Sequence, residues 1–302
     1  MIIGEKMDKL LRPEMVEHIL FRKMNPTFSM LGLFDKQNLE GDTHFEFATK
    51  RRNTEDDIID GILGEPVEVG EGSEFPQITV SGIEEEYGNI TKLGFEVEFS
   101  EELIKSDKNL VYVKNTLSDM GYTLRRMLNR FAYVELMNNA EAPTIELTNG
   151  SWANPTDPAI DGIDDDVKKM QRAFNDQEGY DYEISNMYVS KPSYWGAEDY
   201  YEAVNRNGFN PENVRGSILA KSQEIETGLL GLDLSINPAI WYYNVNPEDN
   251  AWNDPKDPNS SIINVNRFEN DNKHPKSLGF QMYTMVGLAI TEPIAVLFQE
   301  GI

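Results

Sequence analysis

Three features of the chain point to an α+β fold. One long amphipathic helix lies before its midpoint, short alternating strand patterns precede it, and the chain closes on an apolar, β-rich stretch. Residues 108–139 carry the helix. Their apolar positions, Leu110, Val113, Leu117, Met120, Leu124, Met127, Phe131 and Val134, recur in steps of three and four and so share one face. Ser106 and Asp107 offer capping oxygens at its start, and Pro143 lies just past its end. A helix of that length spans roughly 45 Å. Gly121 in its middle costs about 1 kcal/mol relative to alanine, which a close approach of another segment would explain.

The totals narrow the function classes. The 302 residues suffice for one large domain or two moderate ones. The absence of cysteine excludes disulfides, thiolate metal sites and cysteine nucleophiles. No apolar run approaches the ~20 residues that cross a bilayer, and the N-terminus, MIIGEKMDKLL, is too interrupted by charge for a secretory signal. A formal charge of −25, from 27 basic and 52 acidic side chains, argues against a protein that grips nucleic-acid phosphates or anionic membranes. It keeps copies apart, so an assembly of many copies needs large apolar contacts or local charge pairing.

Residues 1–39 have no domain of their own. Leu10, Leu11, Met15, Ile19 and Leu20 fit a short amphipathic helix ending before Pro26, and TFSMLGLF (27–34) is apolar enough to need a partner surface. Residues 40–94 then alternate at Phe45 and Phe47, turn intensely polar in KRRNTEDDIID (50–60), and are punctuated by Gly61, Gly64, Pro66, Gly70, Gly72 and Pro76. Alternation resumes at Ile78 and Val80, and again at Phe95, Val97 and Phe99 with Glu96 and Glu98 between them. This is a two-stranded excursion that returns to a half-buried strand. An excursion so polar cannot build its own core. Either it is a surface hairpin, or it lies on a neighbouring subunit with Arg51 and Arg52 opposite acids and Asp56 and Asp57 opposite bases. A short helix start, SEELI, follows at 100–104.

Beyond the long helix, residues 142–162 read as loop or short strands. DDDVKKMQRAF (164–174) places acids first and bases after, as a helix dipole favours. ISNMYVS (184–190) is a strand, and Pro192 opens a helix that ends at Asn207-Gly208. With LLGLDLSINPAI (229–240) these make a small α/β subdomain. Residues 244–261 form an Asx/Pro loop, 262–265 resume strand character, and 278–298 form two buried strands bent at Thr291-Glu292-Pro293. No repeat of 20–50 residues is present.

Catalytic signatures are missing. The chain has no GxxxxGK[ST] loop, GxGxxG fingerprint, HExxH pair or GxSxG elbow. His18, His44 and His274 lie in separate segments and do not suggest a metal triad. Glu84–Glu86 and Asp164–Asp166 could pair carboxylates for hydrolysis, although such runs in an acidic chain are usually solvated faces. Asp249, Asp254 and Asp257 offer oxygen ligands for Ca²⁺ but lack EF-hand spacing. Arg125, Arg126 and Arg130 form a cationic cluster off the apolar stripe, suited to solvent or to acids of another segment or subunit.

The order of these parts carries a resemblance. An arm, a long charged hairpin, LGFEVEFSEELIKSD, one long helix, an α/β insertion and a closing β stretch resemble the major capsid proteins of tailed bacteriophages and their archaeal relatives, together with the encapsulin shells that share the fold. The most specific pieces are Phe99-Ser100-Glu101-Glu102-Leu103 and Leu230-Gly231-Leu232-Asp233-Leu234. The resemblance implies the tailed-phage capsid fold. Its parts would be an N-terminal arm over 1–39, an extended β-hairpin loop over 40–94, a peripheral domain over 95–142 and 266–302 with its spine helix at 108–139, and an axial domain over 143–265.

The function so implied is a structural subunit, not an enzyme, that self-assembles as pentamers and hexamers into the icosahedral head of a tailed virus. That head would enclose double-stranded DNA without sequence-specific binding, assemble in the host cytoplasm, and need neither membrane nor cofactor. With Met1 almost directly on the arm, a scaffold would be a separate protein or none; portal and decoration proteins are further implied partners. The expected inter-subunit contacts are Lys50, Arg51, Arg52, Glu55, Asp56, Asp57, Arg125, Arg126 and Arg130. Two alternatives stand beside this reading: an encapsulin-type compartment shell, and an acidic hydrolase using paired carboxylates.

Overall fold

The computed structural model describes residue 3 and residues 5–24, 30–50, 83–148, 150–153, 162–177, 182–204, 209–245, 262–270 and 276–302. The chain divides into two compact units. One comprises Met1–Phe45, Tyr87–Glu135 and Ala239–Ala289; the other comprises Glu46–Glu86, Leu136–Pro238 and Ile290–Ile302.

The first unit is built on the long helix, α4 (Leu110–Asn138). It follows a 3-10 turn, Asp107–Asn109, whose Ser106 cap accepts a hydrogen bond from the Lys108 N–H at 3.3 Å. Asp107 serves elsewhere, accepting from the Met7 N–H at 3.0 Å. Val113, Leu117 and Leu124 are fully buried as the stripe predicts. Further along, Leu128, Ala132 and Leu136 are buried, with Asn129 and Tyr133 beside them, while Met127 and Phe131 are only half-buried and Val134 is 37% exposed. The expected stripe advances 3.5 residues per turn and a straight α-helix 3.6, so the buried face drifts by about 20° per heptad, enough along α4 to turn it from the Met127 side toward Leu128.

Two short helices, α1 (Glu5–Leu10) and α2 (Pro13–Met24), precede it and bury Met7, Leu11, Val16 and Leu20. The apolar piece after them finds its partner surface inside the chain. Met30, Leu31 and Phe34 are buried, the Met30 N–H donates to Asn129 Oδ1 at 3.0 Å, and the Trp241 indole N–H donates to the Met30 carbonyl at 3.2 Å.

The sheet of this unit runs β1 (Asp35–Asn38), β8 (Ala239–Asn244), β10 (Ser277–Ile290), β4 (Thr91–Ser100), with β9 (Asn264–Asn270) also pairing β10. Register explains the alternation in β4: Phe95, Val97 and Phe99 stand opposite Met282, Phe280 and Leu278, forming apolar cross-strand pairs. Glu96 and Glu98 point to the other face, where they accept from Gln281 at 3.1 Å and Ser277 at 3.0 Å. A second, two-stranded sheet pairs β2 (His44–Lys50) with β3 (Ile83–Asn89). Phe45 at its base is buried and stacks on Tyr242 with centroids 4.3 Å apart. Only glycine fits at 88 and 287, because a Cβ at either would run into the Phe45 ring.

The second unit has a four-stranded sheet, β11 (Val296–Gln299), β7 (Leu229–Leu232), β5 (Asn186–Ser190), β6 (Ile218–Ser222). Its helices are α5 (Ile163–Asn175) and α6 (Lys191–Ala203), the latter capped by Ser190 with proline in its first turn. β5, α6 and parallel β6 make the expected α/β unit. Trp152, Phe174, Tyr182, Val189, Tyr200 and Leu229 are among the residues of its core. In the first unit a short helix, α3 (Glu101–Ile104), sits where SEELI predicts a helix start.

The two units gather their strands by pairing rather than by position in the chain. β8 and β9, within the 143–265 insertion by sequence, belong to the α4 unit, and residues 290–302 belong to the other. Pairing decides both cases. β8 and β9 hydrogen-bond to β10, whereas β11, past the bend at Glu292-Pro293, pairs with β7 from Val296↔Leu232 to Gln299↔Leu229.

Candidate assembly surfaces

The acidic triplet of α5, a candidate for hydrolysis by sequence, is committed to structure. Asp164 and Asp166 are buried. Asp166 accepts from the Thr148 N–H (2.8 Å) and the Trp152 indole N–H (3.1 Å), tying the preceding loop to the helix. Asp164 accepts from the Tyr201 hydroxyl (2.7 Å) and pairs with Arg215 (3.1 Å). With both carboxylates engaged and walled off from water, no substrate can reach them. Burial pushes the Tyr201 hydroxyl up to about 12, against the pull of Arg215. The other triplet, Glu84–Glu86, lies on β3, where Glu86 accepts from the Thr49 hydroxyl at 2.9 Å and Glu85 is exposed. Among the described residues no group of three acidic or histidine side chains could hold a metal ion, and no helix is long and apolar enough to cross a membrane. His274, Asp249, Asp254 and Asp257 lie outside the described residues.

The residues expected to meet other copies fall into two sets. Lys50 ends β2, and Arg51, Arg52, Glu55, Asp56 and Asp57 lie outside the described residues. Arg125, Arg126 and Arg130 all lie on α4. Arg125 is half-buried, its guanidinium carbon 5.1 Å from the Tyr122 ring centroid. Arg126 and Arg130, one helical turn apart, are exposed. α4 also exposes apolar and aromatic side chains: Val111 at 69%, Tyr112 at 63% and Tyr122 at 41%. An uncovered tyrosine and arginine surface has the composition of an interface centre. In the second unit Trp195 is 48% exposed, with Lys221 Nζ 4.5 Å from its ring centroid.

Sequence reasoning missed one site. Lys6, Lys9, Arg12, His18 and Arg22 of α1, α2 and the bend between them, with Lys114 of α4, line an open cavity of about 580 Å³. Leu10, Met15, Ile19 and Leu110 supply its apolar lining. The spacing Lys6-Lys9 and His18-Arg22 was the available signal, since residues three and four apart share a helix face.

The fold can now be set beside known proteins. A family model described as "Phage capsid protein" matches residues 84–297, well over half of the chain. The chain belongs to the phage capsid protein family. It is a structural subunit of a virus shell. Solved structures share the fold at low identity. The virus-like particle from Pyrococcus furiosus is 13% identical with a TM-score of 0.57, covering 94% of this chain and 98% of its own. The capsid of cyanophage P-SCSP1u is 12% identical with a TM-score of 0.56, covering 91% and 89%. The SrpI encapsulin of Synechococcus elongatus is 11% identical with a TM-score of 0.58, covering 93% and 89%. Comparison with curated protein sequences finds no match. These likenesses bear out the tailed-phage capsid fold expected from the order of parts. The capsid subunit thus works by contact with other polypeptides.

Proposed function

We propose that this capsid subunit closes with copies of itself, as pentamers and hexamers, into the icosahedral head of a tailed double-stranded DNA virus. It does so by geometry, without chemistry of its own. The unit built on α4 acts as the peripheral domain, the unit around β5, β7 and α6 as the axial domain, and residues 40–94 as an extended loop that overlaps the next subunit. The observation that carries this reading is the hairpin. β2 and β3 lead into the charged run that begins at Lys50, in a chain whose −25 charge otherwise drives copies apart. Arg51 and Arg52 meet acids there, Glu55, Asp56 and Asp57 meet bases, and the exposed Arg126 and Arg130, with half-buried Arg125, offer further cationic partners. Summed over a closed shell, modest contacts of this kind hold it together.

The head encloses DNA without sequence-specific binding, assembles in the host cytoplasm, and joins scaffolding, portal and decoration proteins. Deleting residues 50–72 is expected to leave a soluble, folded subunit that forms no shells; normal shells by electron microscopy would refute the overlap. A second reading, an encapsulin-type compartment, draws support from the likeness to the Synechococcus elongatus encapsulin. Nucleic acid inside purified particles favours the virus, and a protein cargo favours the compartment.

A further inference from the structure

The cavity formed by α1, α2 and α4 has a composition that the rest of the chain does not lead one to expect. Acids outnumber bases almost two to one overall, yet five of the 27 basic side chains, Lys6, Lys9, Arg12, Arg22 and Lys114, line this concavity, and among the described residues no acid does. All five are exposed. Lys9 touches Glu5 at 3.3 Å, but both partners are open to water, and an ion pair of that kind exchanges easily. Leu10, Ile19 and Leu110 are half-buried, and Met15 is 42% exposed. Duplex phosphates call for a cationic stripe. An apolar lining with cations around it instead suits a polypeptide surface with an apolar anchor flanked by acids, and methionine adapts to such anchors.

The chain itself carries a surface of that description. On β3, Tyr87 is 69% exposed, the most exposed aromatic side chain among the described residues. Glu85 is exposed on the same face of the strand, since side chains two apart share a face, and Glu86 is exposed beside them. Exposed Glu46 lies on the paired strand β2. We propose that the α1–α2–α4 cavity receives the β2–β3 hairpin of a second copy, with Tyr87 set against Met15, Ile19 and Leu110 and its flanking glutamates against Lys6, Lys9, Arg12 and Lys114. This inference rests on the shell reading above and specifies one of its contacts. Tyrosine is a frequent interface anchor because it brings a large rigid surface, and the charge pairing draws together copies that otherwise repel.

The test exploits the absence of cysteine. Particles are assembled from a subunit carrying both Met15→Cys and Tyr87→Cys, oxidised mildly, and run on a non-reducing gel. The inference expects a ladder of covalent dimers and higher species from particles, and single chains from dissociated subunits or from either single variant. Intact shells without a ladder would overturn the contact and leave the shell reading standing; wild-type chains that never form shells would overturn both. A second series guards against a cysteine pair that disturbs assembly. Lys9→Glu with Arg12→Glu is expected to lower shell yield about tenfold at low salt, and adding Glu85→Lys with Glu86→Lys to restore most of it. Failure of restoration overturns the pairing. So does a wild-type subunit that binds a fluorescent DNA duplex through Lys9 and Arg12 while particles of the double-cysteine variant give no ladder, since the cavity would then be a phosphate site.

Discussion

At the level of single residues, the buried aspartates of α5 show why residue type alone misleads. Asp164 and Asp166 could serve a hydrolase or a fold, and their partners decide for the fold. Asp166→Asn leaves either the Thr148 N–H or the Trp152 indole N–H without an acceptor. The expected cost is about 1–3 kcal/mol, read as a lower urea midpoint with Trp152 fluorescence as probe; an unchanged midpoint would show the network to be incidental. Tyrosines give a second test. Burial pushes Tyr188 and Tyr201 up to about 12, from an ordinary value of 10.0. The folded state therefore favours their neutral form. That stabilisation is complete below pH 10.0 and is lost as pH rises through about 12. Ultraviolet titration should show an ionisation step near pH 12 that coincides with loss of structure. A single step near pH 10 with the fold intact would contradict this burial. Nothing in the sequence marked these tyrosines, because desolvation belongs to the packed state.

Secondary-structure elements were readable where periodicity is strong and local. α4, α5, β4, β5 and the bent pair β10 and β11 stand close to their expected positions because each has an amphipathic or apolar pattern of its own. β1 (DKQN) and β3 (IEEEYGN) carry no such pattern. β1 exists because it pairs in parallel with β8, and β3 because it pairs with β2, and long-range pairing leaves no local trace. The phase of α4 is a testable refinement. Leu128, which is 1% exposed, lies off the 3.5-residue stripe, and half-buried Met127 lies on it. Leu128→Ala should cost about 2–5 kcal/mol, and Met127→Ala clearly less, both by chemical denaturation. The reverse order would return the buried face to the heptad positions.

For the whole molecule, the order of arm, hairpin, helix, insertion and closing strands was enough to place the chain among phage capsid proteins, as the family match over residues 84–297 bears out. The membership of the two units rests on pairings far apart in sequence, β8 and β9 with β10 in one and β11 with β7 in the other, and such pairings leave no local trace. The cationic cavity escaped notice for the same reason: Lys114 joins Lys6, Lys9, Arg12 and Arg22 only after folding. Charge sets the terms for assembly. At −25 per copy, closure needs specific pairing to outweigh general repulsion, so the decisive quantity is the mass of the purified protein in solution. Analytical ultracentrifugation backed by negative-stain microscopy, across salt and protein concentration and with a candidate scaffold present, should find closed shells of uniform diameter. Single chains under every condition would contradict the account.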